Sequence, residues 1–354
     1  MWGKNNMYSI NNDKVVLQVK YPMITSFTTD AHMLAILNNY PITEEWIFNN
    51  YINLWGEKLD DIDEQLYIRF GSWFIRKSCP YFKINTYYKE FFESIKCNII
   101  EFIISKIQLG RYLNISYDQF YIPNSPKYMK YHFQHQLLIY GYDKTLKTFY
   151  IADFYASSRY SFENASFDSV ELAIINSLNL DNFLCDEIEF YYTNYKFNND
   201  FLYNSLNNLL HSKNNVLQNE NIFISDIEIQ RIQENKYTFG MENYNLLKNT
   251  LLGLLNGNNK FNDVKPLHII FQHKVIMSER LKFLAKKKLI NPNDDIINEY
   301  VNLQNISNLC RNLFMKYQVT HDNKLLNKII SNLDLLISSE TDAITCLINK
   351  VSGI

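Results

Sequence analysis

The chain has 354 residues, of which 47% are hydrophobic and 20% charged, so it carries enough apolar material for one large domain or two ordinary ones and is not a disordered chain. Lysine and arginine number 35 against 37 aspartate and glutamate, and this balance argues against nucleic-acid binding by phosphate neutralisation. Glycine is scarce, at 9 residues, and neither common glycine-rich phosphate-binding motif occurs. A nucleotide-binding enzyme is therefore disfavoured.

The cysteines and the first residues indicate the compartment. The five cysteines are odd in number, widely spaced and without a C-x-x-C pair: Cys79, Cys97, Cys185, Cys310 and Cys346. This pattern argues against a disulfide framework and against a cysteine-rich zinc site. The N-terminal residues lack the apolar core of a signal peptide, and no stretch approaches the ~18 apolar residues that cross a bilayer. We expect a reduced, cytoplasmic protein without a membrane span.

Residues 1–195 predict a domain of mixed α+β structure. The pattern predicts, in chain order, a strand from Val15, a helix after the polar residues Thr28-Thr29-Asp30, a helix over Glu44–Trp55, strands in QLYIRFG and WFIR, and a long helix over Tyr87–Lys106. The segments RYLNISYD, HQLLIYGYD and KTFYIADF are rich in aromatic and β-branched residues and predict adjacent antiparallel strands. A helix over Phe167–Leu178 and a strand over Glu187–Tyr195 complete the domain.

Residues 196–354 predict a mostly helical second domain. Five segments place apolar residues at the i, i+3, i+4 and i+7 spacing of a helix that buries one face. They are FLYNSLNNLLHS, NYNLLKNTLLGLL, LHIIFQHKVIMSERLKFLAKKKLI, IINEYVNLQNISNLCRNLFMKY and KLLNKIISNLDLLISS. The basic stretch from Arg280 to Lys288 is interpreted as a solvated helix face, with docking of an acidic carrier protein as the alternative.

The segment from His135 to Phe154 holds the first candidate site residues. If Asp143–Lys147 form a hairpin turn, Tyr142 faces Thr148 and Ile139 faces Ile151. Asp153 then lies opposite Leu137, two positions after His135. Because side chains alternate between the two faces of a strand, His135 and Asp153 then become diagonal neighbours within reach of each other. A carboxylate that orients an imidazole is half of a nucleophilic triad.

The third member of such a triad is a nucleophile, which cysteine hydrolases and acyltransferases place at a helix N-terminus. The predicted helix start at Thr29-Asp30 makes Ala31 the residue at this position. His32, the next residue, is expected to lie exposed on the first turn, and Asp118 to be a structural acid at a strand end. Among the cysteines, Cys79 is the only alternative nucleophile considered.

The order of these features resembles the papain-like cysteine acyltransferases and peptidases. A helix near residue 31, a long intervening segment, H-x-L-L-I-x-G-Y-D and an x-I-x-D strand resemble the peptidases that trim leader peptides during bacteriocin export. They are more similar still to the N-terminal domain family of the butirosin biosynthesis acyltransferase, and a closthioamide-type protease-like amide synthase belongs to the same group. SYDQFYIP and FDSVELA support the resemblance, which covers roughly residues 15 to 180.

The resemblance implies a papain-like α+β fold with a helical C-terminal extension, and a Cys-His-Asp triad. Its cysteine falls on Ala31, its histidine on His135 and its acid on Asp153. It implies amide formation in secondary-metabolite biosynthesis: an acyl group moves from a thioester on the phosphopantetheine arm of a carrier protein to a small amine. No other cofactor and no metal is expected.

Alanine at position 31 leaves three interpretations open. It replaces a natural cysteine, or the natural protein has lost its nucleophile, or the alignment is shifted. In the last case Ser26, Thr28 and Thr29 are the nearest hydroxyls. Two other functions also stay open: a papain-like cysteine peptidase with the same residues, and a catalytically inactive binding protein.

Overall fold

The structure, a computed structural model, describes residues 13–57, 66–95, 98–155, 159–179, 182–214 and 236–352. Cys97 lies outside these ranges. The strands are β1 (Lys14–Val16), β2 (Leu54–Glu57), β3 (Tyr67–Phe70), β4 (Phe82–Tyr88), β5 (Arg111–Asp118), β6 (Gln134–Asp143), β7 (Thr148–Phe154), β8 (Tyr160–Ser166), β9 (Leu184–Phe190) and β10 (Tyr237–Phe239). The helices are α1 (Thr28–Leu37), α2 (Glu44–Asn50), α3 (Ser72–Lys77), α4 (Lys89–Ile95), α5 (Ile99–Gln108), α6 (Phe167–Leu178), α7 (Asn199–Leu210), α8 (Glu242–Leu255), α9 (Lys265–Lys286), α10 (Asp295–Thr320) and α11 (Asn323–Val351).

The chain is α+β, as predicted, and it divides into two compact units. The first, the sheet unit, comprises Met1–Pro41 and Pro80–Asn194, and the second, the helical unit, comprises Ile42–Cys79 and Tyr195–Ile354. The predicted division into residues 1–195 and 196–354 differs at one place. Residues 42–79 were assigned to the first domain, but they belong to the second unit because β2 pairs with β10, a strand from the far side of residue 195.

The sheet unit is built on one antiparallel sheet. Its strand order is β4-β9-β5-β6-β7-β8, and β1 pairs with β6 as well. The prediction that β5, β6 and β7 are adjacent antiparallel strands is confirmed. α5 and α6 pack against β5, and an apolar cluster of buried residues forms around these strands and α1.

The β6–β7 hairpin carries the predicted site residues. The predicted pairing of Tyr142 with Thr148 is wrong by one residue, because Asp143 is the partner of Thr148. A β-bulge between Ile139 and Gly141 absorbs this shift, so that the expected pairing of Ile139 with Ile151 is present. Glycine is required at the bulge, since a Cβ on Gly141 would lie 2.7 Å from the carbonyl oxygen of Val15 in β1.

Helix α1 begins earlier than the polar residues Thr29-Asp30 predicted. Phe27 occupies the N-cap position with extended backbone dihedrals, and its side chain makes no capping hydrogen bond. Every residue from Asp30 to Leu37 is buried, so the helix has no solvent face. A helix surrounded by protein in this way gives a weak periodic signal, which explains the error in its start.

The helical unit contains a small antiparallel sheet, β10-β2-β3, and the long helices α9, α10 and α11. The prediction that this part of the chain is mostly helical is confirmed. Arg280, expected on a solvated basic face, is instead fully buried, and its guanidinium donates hydrogen bonds to the backbone carbonyls of Phe48 and Tyr51. Within the described ranges, no helix combines the length and apolar character needed to cross a membrane.

Three local predictions are wrong. WFIR lies in helix α3 rather than in a strand, because four residues are too few to separate the two periodicities. The helix predicted over Glu44–Trp55 ends at Asn50, and Trp55 belongs to β2. The long helix predicted over Tyr87–Lys106 is the end of β4 followed by α4 and α5.

Candidate active site

His135 and Asp153 meet in the sheet unit as the strand periodicity predicted. The Nδ1 atom of His135 lies 2.8 Å from the Oδ2 atom of Asp153. The Asp153 side chain is fully buried, whereas the His135 side chain is 25% exposed. The carboxylate is thus fixed inside the protein, and the ring extends from it towards the surface.

The carboxylate of Asp153 receives further hydrogen bonds on the same oxygen. The Tyr117 hydroxyl donates to Oδ2 over 2.5 Å, and the Gln119 amide lies 3.5 Å from it. Burial, followed by the charge of Asp153, raises the pKa of Tyr117 well above its usual value, so this hydroxyl keeps its proton. Tyr117 in strand β5 therefore holds the carboxylate in place by a hydrogen bond, while the same carboxylate contacts His135.

The other ring nitrogen of His135 faces a hydroxyl. Oγ1 of Thr28 lies 3.2 Å from Nε2 of His135. An ionised Asp153 only accepts hydrogen bonds, so Nδ1 of a neutral ring carries the hydrogen and Nε2 presents a lone pair. The Thr28 hydroxyl then donates to Nε2, which gives a continuous Thr28–His135–Asp153 chain of hydrogen bonds.

The structure brings Thr28, and not Ala31, to His135. Ala31 is fully buried and belongs to the apolar cluster of the sheet unit. The two residues are three apart on α1, so Ala31 lies about one helical turn beyond the hydroxyl. Thr28, one of the three hydroxyls named as the alternative, is therefore the candidate nucleophile of this site.

Thr28 is the first residue of α1, and this placement affects its surroundings. The N–H groups of the first turn of a helix have no partner inside the helix, and the helix dipole is positive there. The first bond of the ladder runs from the Ala31 N–H to the Phe27 carbonyl. The N–H groups of Thr28 and Thr29 precede it and are suited to stabilise negative charge that develops beside the Thr28 oxygen.

Aromatic side chains surround the His135 ring. Phe133 stacks near it with a centroid separation of 6.0 Å, and Phe154 approaches edge-on at 6.4 Å. Phe133 is itself exposed. Two aromatic side chains, one of them exposed to solvent, therefore flank the ring.

His32 lies inside the protein, contrary to the expectation of exposure. It is 2% exposed, its Nδ1 lies 3.0 Å from the side-chain oxygen of Asn114, and its ring packs against Tyr160. Burial lowers the pKa of His32 to about 4, although the nearby charge of Asp153 acts in the opposite direction. The ring is neutral at neutral pH and stands one helical turn after Thr28.

A second histidine–aspartate pair lies at the ends of the β5–β6 connection. His132 Nδ1 lies 2.6 Å from Asp118 Oδ2, and Asp118 Oδ1 accepts the backbone N–H groups of Phe120 and Phe133. The His132 side chain is 59% exposed and stacks on Phe120. These contacts join the two ends of the connection, which is the structural role expected for Asp118.

The remaining candidates are simpler. Cys79 is 5% exposed and belongs to the helical unit. Burial raises the pKa of Cys185 well above the usual value of a thiol. Among the residues that the structure describes, no three His, Cys, Asp or Glu side chains form a group that could hold a metal ion. No protein-family model matches the chain, and no curated protein is significantly similar to it.

Proposed function

We propose that the sheet unit is a papain-like acyl-transfer catalyst that uses Thr28 as its nucleophile, His135 as its base and Asp153 as the acid that orients the base. The observation that carries the proposal is the hydrogen-bonded chain from the Thr28 hydroxyl through both nitrogens of His135 to a buried carboxylate. Hydroxyl nucleophiles are inert unless such a base removes their proton.

The proposed reaction has two halves. The Thr28 oxygen attacks the carbonyl carbon of a thioester while its proton passes to Nε2 of His135. The tetrahedral intermediate then collapses, the C–S bond breaks, and the thiolate takes the proton, leaving an ester on Thr28. An amine attacks this ester, gives a proton to His135, and releases an amide as the proton returns to the Thr28 oxygen.

Two parts of the site lower the barriers of these steps. Asp153 stabilises the imidazolium that forms when His135 accepts the proton, and Tyr117 holds Asp153 in place. The N–H groups at the start of α1 are suited to bind the oxyanion of the tetrahedral intermediate, a contribution of ~3 kcal/mol for a preorganised donor.

The proposed donor is an acyl group on the phosphopantetheine thioester of a carrier protein, and the proposed acceptor is a small amine, as the resemblance implies. A thioester already carries the activation needed for amide formation, so the residues described here need supply only the nucleophile, the base and the oxyanion donors. A peptidase would use the same side chains with water as the acceptor, and the choice of acceptor is left to experiment.

The test is covalent trapping on the full chain. S-acetyl-N-acetylcysteamine, a small thioester, is mixed with the protein, and intact-protein mass spectrometry with peptide mapping locates any acetyl group. We expect acetyl-Thr28, its loss in Thr28→Ala, and its retention in Thr28→Ser, Thr28→Cys and the matched control Thr29→Ala. Release of the group as acetohydroxamic acid, the N-acyl product, after addition of hydroxylamine supports the transferase.

Two results would contradict the proposal. Equal acetylation of wild type and Thr28→Ala would show that Thr28 is not the nucleophile. Cleavage of added peptides by the wild type, with no transfer to hydroxylamine, would instead identify a peptidase that uses the same residues.

A further inference from the structure

Large apolar side chains are exposed together in one short stretch of the connection between β5 and β6. They are Tyr128, Met129, Tyr131 and Phe133. Single exposed apolar side chains are common on proteins, whereas a group of them marks a surface that contacts a ligand or a partner. The Phe133 ring stacks near that of His135, with a centroid separation of 6.0 Å. The exposed group therefore reaches the candidate active site.

A lysine lies against the same aromatic rings. The ammonium of Lys127 lies 4.5 Å from the ring centre of Tyr131 and 5.9 Å from that of Phe133. It also donates a hydrogen bond to the Tyr131 hydroxyl. Aromatic faces attract a cation but do not neutralise its charge. These contacts therefore hold a positive charge one aromatic ring away from His135.

No carboxylate neutralises this charge within the part of the chain that the structure describes, where the ammonium of Lys127 contacts only Tyr131 and Phe133. The Tyr131 oxygen accepts from the ammonium, so its own hydrogen points elsewhere and is available to an acceptor. An anion beside both side chains would receive a charge-assisted hydrogen bond from Lys127 and a second one from Tyr131. Lys130, the other lysine of the connection, differs, because its ammonium donates to the Pro126 carbonyl over 3.0 Å.

The connection that carries these side chains is tied down at several points. The backbone N–H of Gln119 donates to the carbonyl of Phe133 over 2.9 Å and joins the two ends of the connection. In its middle, the N–H of Lys127 donates to the Ser125 hydroxyl oxygen over 3.0 Å, and this hydroxyl lies 3.3 Å from the Gln119 side-chain oxygen. A surface held in this way loses little conformational entropy when a ligand binds.

We propose that Lys127, Tyr131 and Phe133 form a subsite for the acyl group of the donor, and that this acyl group has a flat apolar body with a carboxylate at its far end. The apolar body would lie along Phe133, and the carboxylate would face Lys127 and Tyr131. The inference rests on the proposed function, because it names the substrate class of the site at Thr28.

The separation between cation and base favours the acyl group over the carrier arm as the source of the negative charge. One ring, that of Phe133, lies between the Lys127 ammonium and His135. A single phenylene unit or a short chain spans such a separation. The phosphate of a phosphopantetheine arm stands much further from the thioester carbonyl, since the whole pantetheine chain lies between them. A charge at the far end of the acyl group therefore matches the site, and the phosphate does not.

The test measures the preference of the full chain between two thioesters. N-acetylcysteamine thioesters of phenylpropanoic acid are prepared with a para carboxylate or with the isosteric para carboxamide, and the rate constant for acylation of Thr28 is measured by intact-protein mass spectrometry. We expect the wild type to react about 10-fold faster with the carboxylate, the effect of one charge-assisted hydrogen bond, and this preference to weaken with added salt.

Three variants assign the preference to one ammonium. Lys127→Met should remove the preference, Lys127→Arg should retain it, and the matched control Lys130→Met should leave it unchanged. Because both thioesters are compared on the same preparation, a loss of folded protein cancels from the ratio of rates. Equal rates for the two thioesters in the wild type, or a preference that survives in Lys127→Met, would overturn the subsite. A carboxylate that accelerates the reaction only when attached to the thiol half of an acetyl thioester would overturn its assignment to the acyl group.

A binding measurement separates this inference from the proposed function. If the wild type forms no acyl-Thr28 with any thioester, the proposed function fails. Isothermal titration calorimetry with the unreactive N-methylamides of the same two acids then tests the subsite alone. Tighter binding of the carboxylate, lost in Lys127→Met, supports the subsite, and equal or absent binding of the two amides overturns it.

Discussion

His135 in the sheet unit and His273 in the helical unit each lie beside a fully buried carboxylate, and their surroundings differ. In the sheet unit, His135 contacts Asp153 through Nδ1 and a hydroxyl through Nε2, with the side chain 25% exposed. In the helical unit, His273 is fully buried; its Nε2 lies 2.8 Å from the Ile52 carbonyl, and its Nδ1 lies 2.9 Å from the ammonium of Lys274.

The second arrangement uses every hydrogen-bonding position of the ring for structure. The Ile52 carbonyl only accepts, so Nε2 of His273 donates and Nδ1 accepts from Lys274. The same ammonium also donates to the Tyr244 hydroxyl and pairs with Glu340. No nitrogen of His273 is left for a substrate, whereas Nε2 of His135 faces the Thr28 hydroxyl. A histidine–carboxylate pair is therefore a candidate for catalysis only where the second ring nitrogen faces a group that can react.

The largest expected effect tests this contrast at His135. His135→Gln should lower the rate of Thr28 acetylation by about 10³-fold, because general-base assistance is lost, while the midpoint of urea unfolding changes little. The rate is measured with S-acetyl-N-acetylcysteamine by mass spectrometry. His132→Gln is the matched control, since His132 also contacts a buried aspartate but is exposed and connects a loop. Comparable rate losses in His135→Gln and His132→Gln would contradict a specific role of His135 as the base.

Lys274 gives the converse prediction for the helical unit. Lys274→Met leaves the fully buried carboxylate of Glu340 without its cation, so we expect the free energy of unfolding to fall by about 3–5 kcal/mol. Urea unfolding followed by circular dichroism measures it. Lys282→Met on the same helix is the matched control. The Lys282 side chain is 57% exposed and pairs with Glu279, so the loss should stay below about 1 kcal/mol.

A double variant sharpens this result. Lys274→Met combined with Glu340→Leu removes both charges, and an apolar pair of similar volume replaces a buried ion pair at little or no cost. The double variant should therefore be more stable than Lys274→Met alone. If it is less stable, the buried charges contribute by their contacts with Tyr244 and His273 rather than by balancing each other.

The sequence predicted the His135–Asp153 contact through two errors that cancelled. The turn was predicted one residue out of register, and the bulge at Tyr140, which strand alternation does not reveal, returned Ile139 to its expected partner. Local spacing was sufficient because both residues lie in one hairpin. β4 was missed, since its partner β9 lies about a hundred residues further along the chain, and that pairing has no local signature.

The placement of Thr28 and His32 could not be predicted, because the rules for helix ends failed at α1. Polar residues at 28–30 indicated a cap, but Phe27 occupies that position and the helix begins at Thr28. Thr28 is named from the sequence only as one of three alternative hydroxyls, because the resemblance places a cysteine at the nucleophile position. Burial of α1 on all sides removed the exposed face from which the position of His32 was inferred.

The smallest expected effect is a dependence of the free energy of unfolding on pH that arises from the buried ring of His273. Burial, followed by the charge of Lys274, lowers the pKa of His273 well below 6.5. As the pH falls below 6.5, the unfolded chain takes up a proton on this histidine and the folded chain does not. The unfolded state therefore binds more protons, and the free energy of unfolding falls with decreasing pH, by up to about 1.4 kcal/mol per pH unit for this group.

His273→Gln should remove this part of the slope between pH 6.5 and about 4.5, measured as the urea unfolding free energy at closely spaced pH values. Above pH 7.5 the slopes of wild type and variant should coincide, because the histidine is neutral in both states there. His268, whose pKa burial lowers to about 4, contributes in the same direction and is retained in both proteins. An unchanged slope in His273→Gln would show that the folded protein protonates His273, and that its ring is not committed to the Lys274 contact as the comparison with His135 requires.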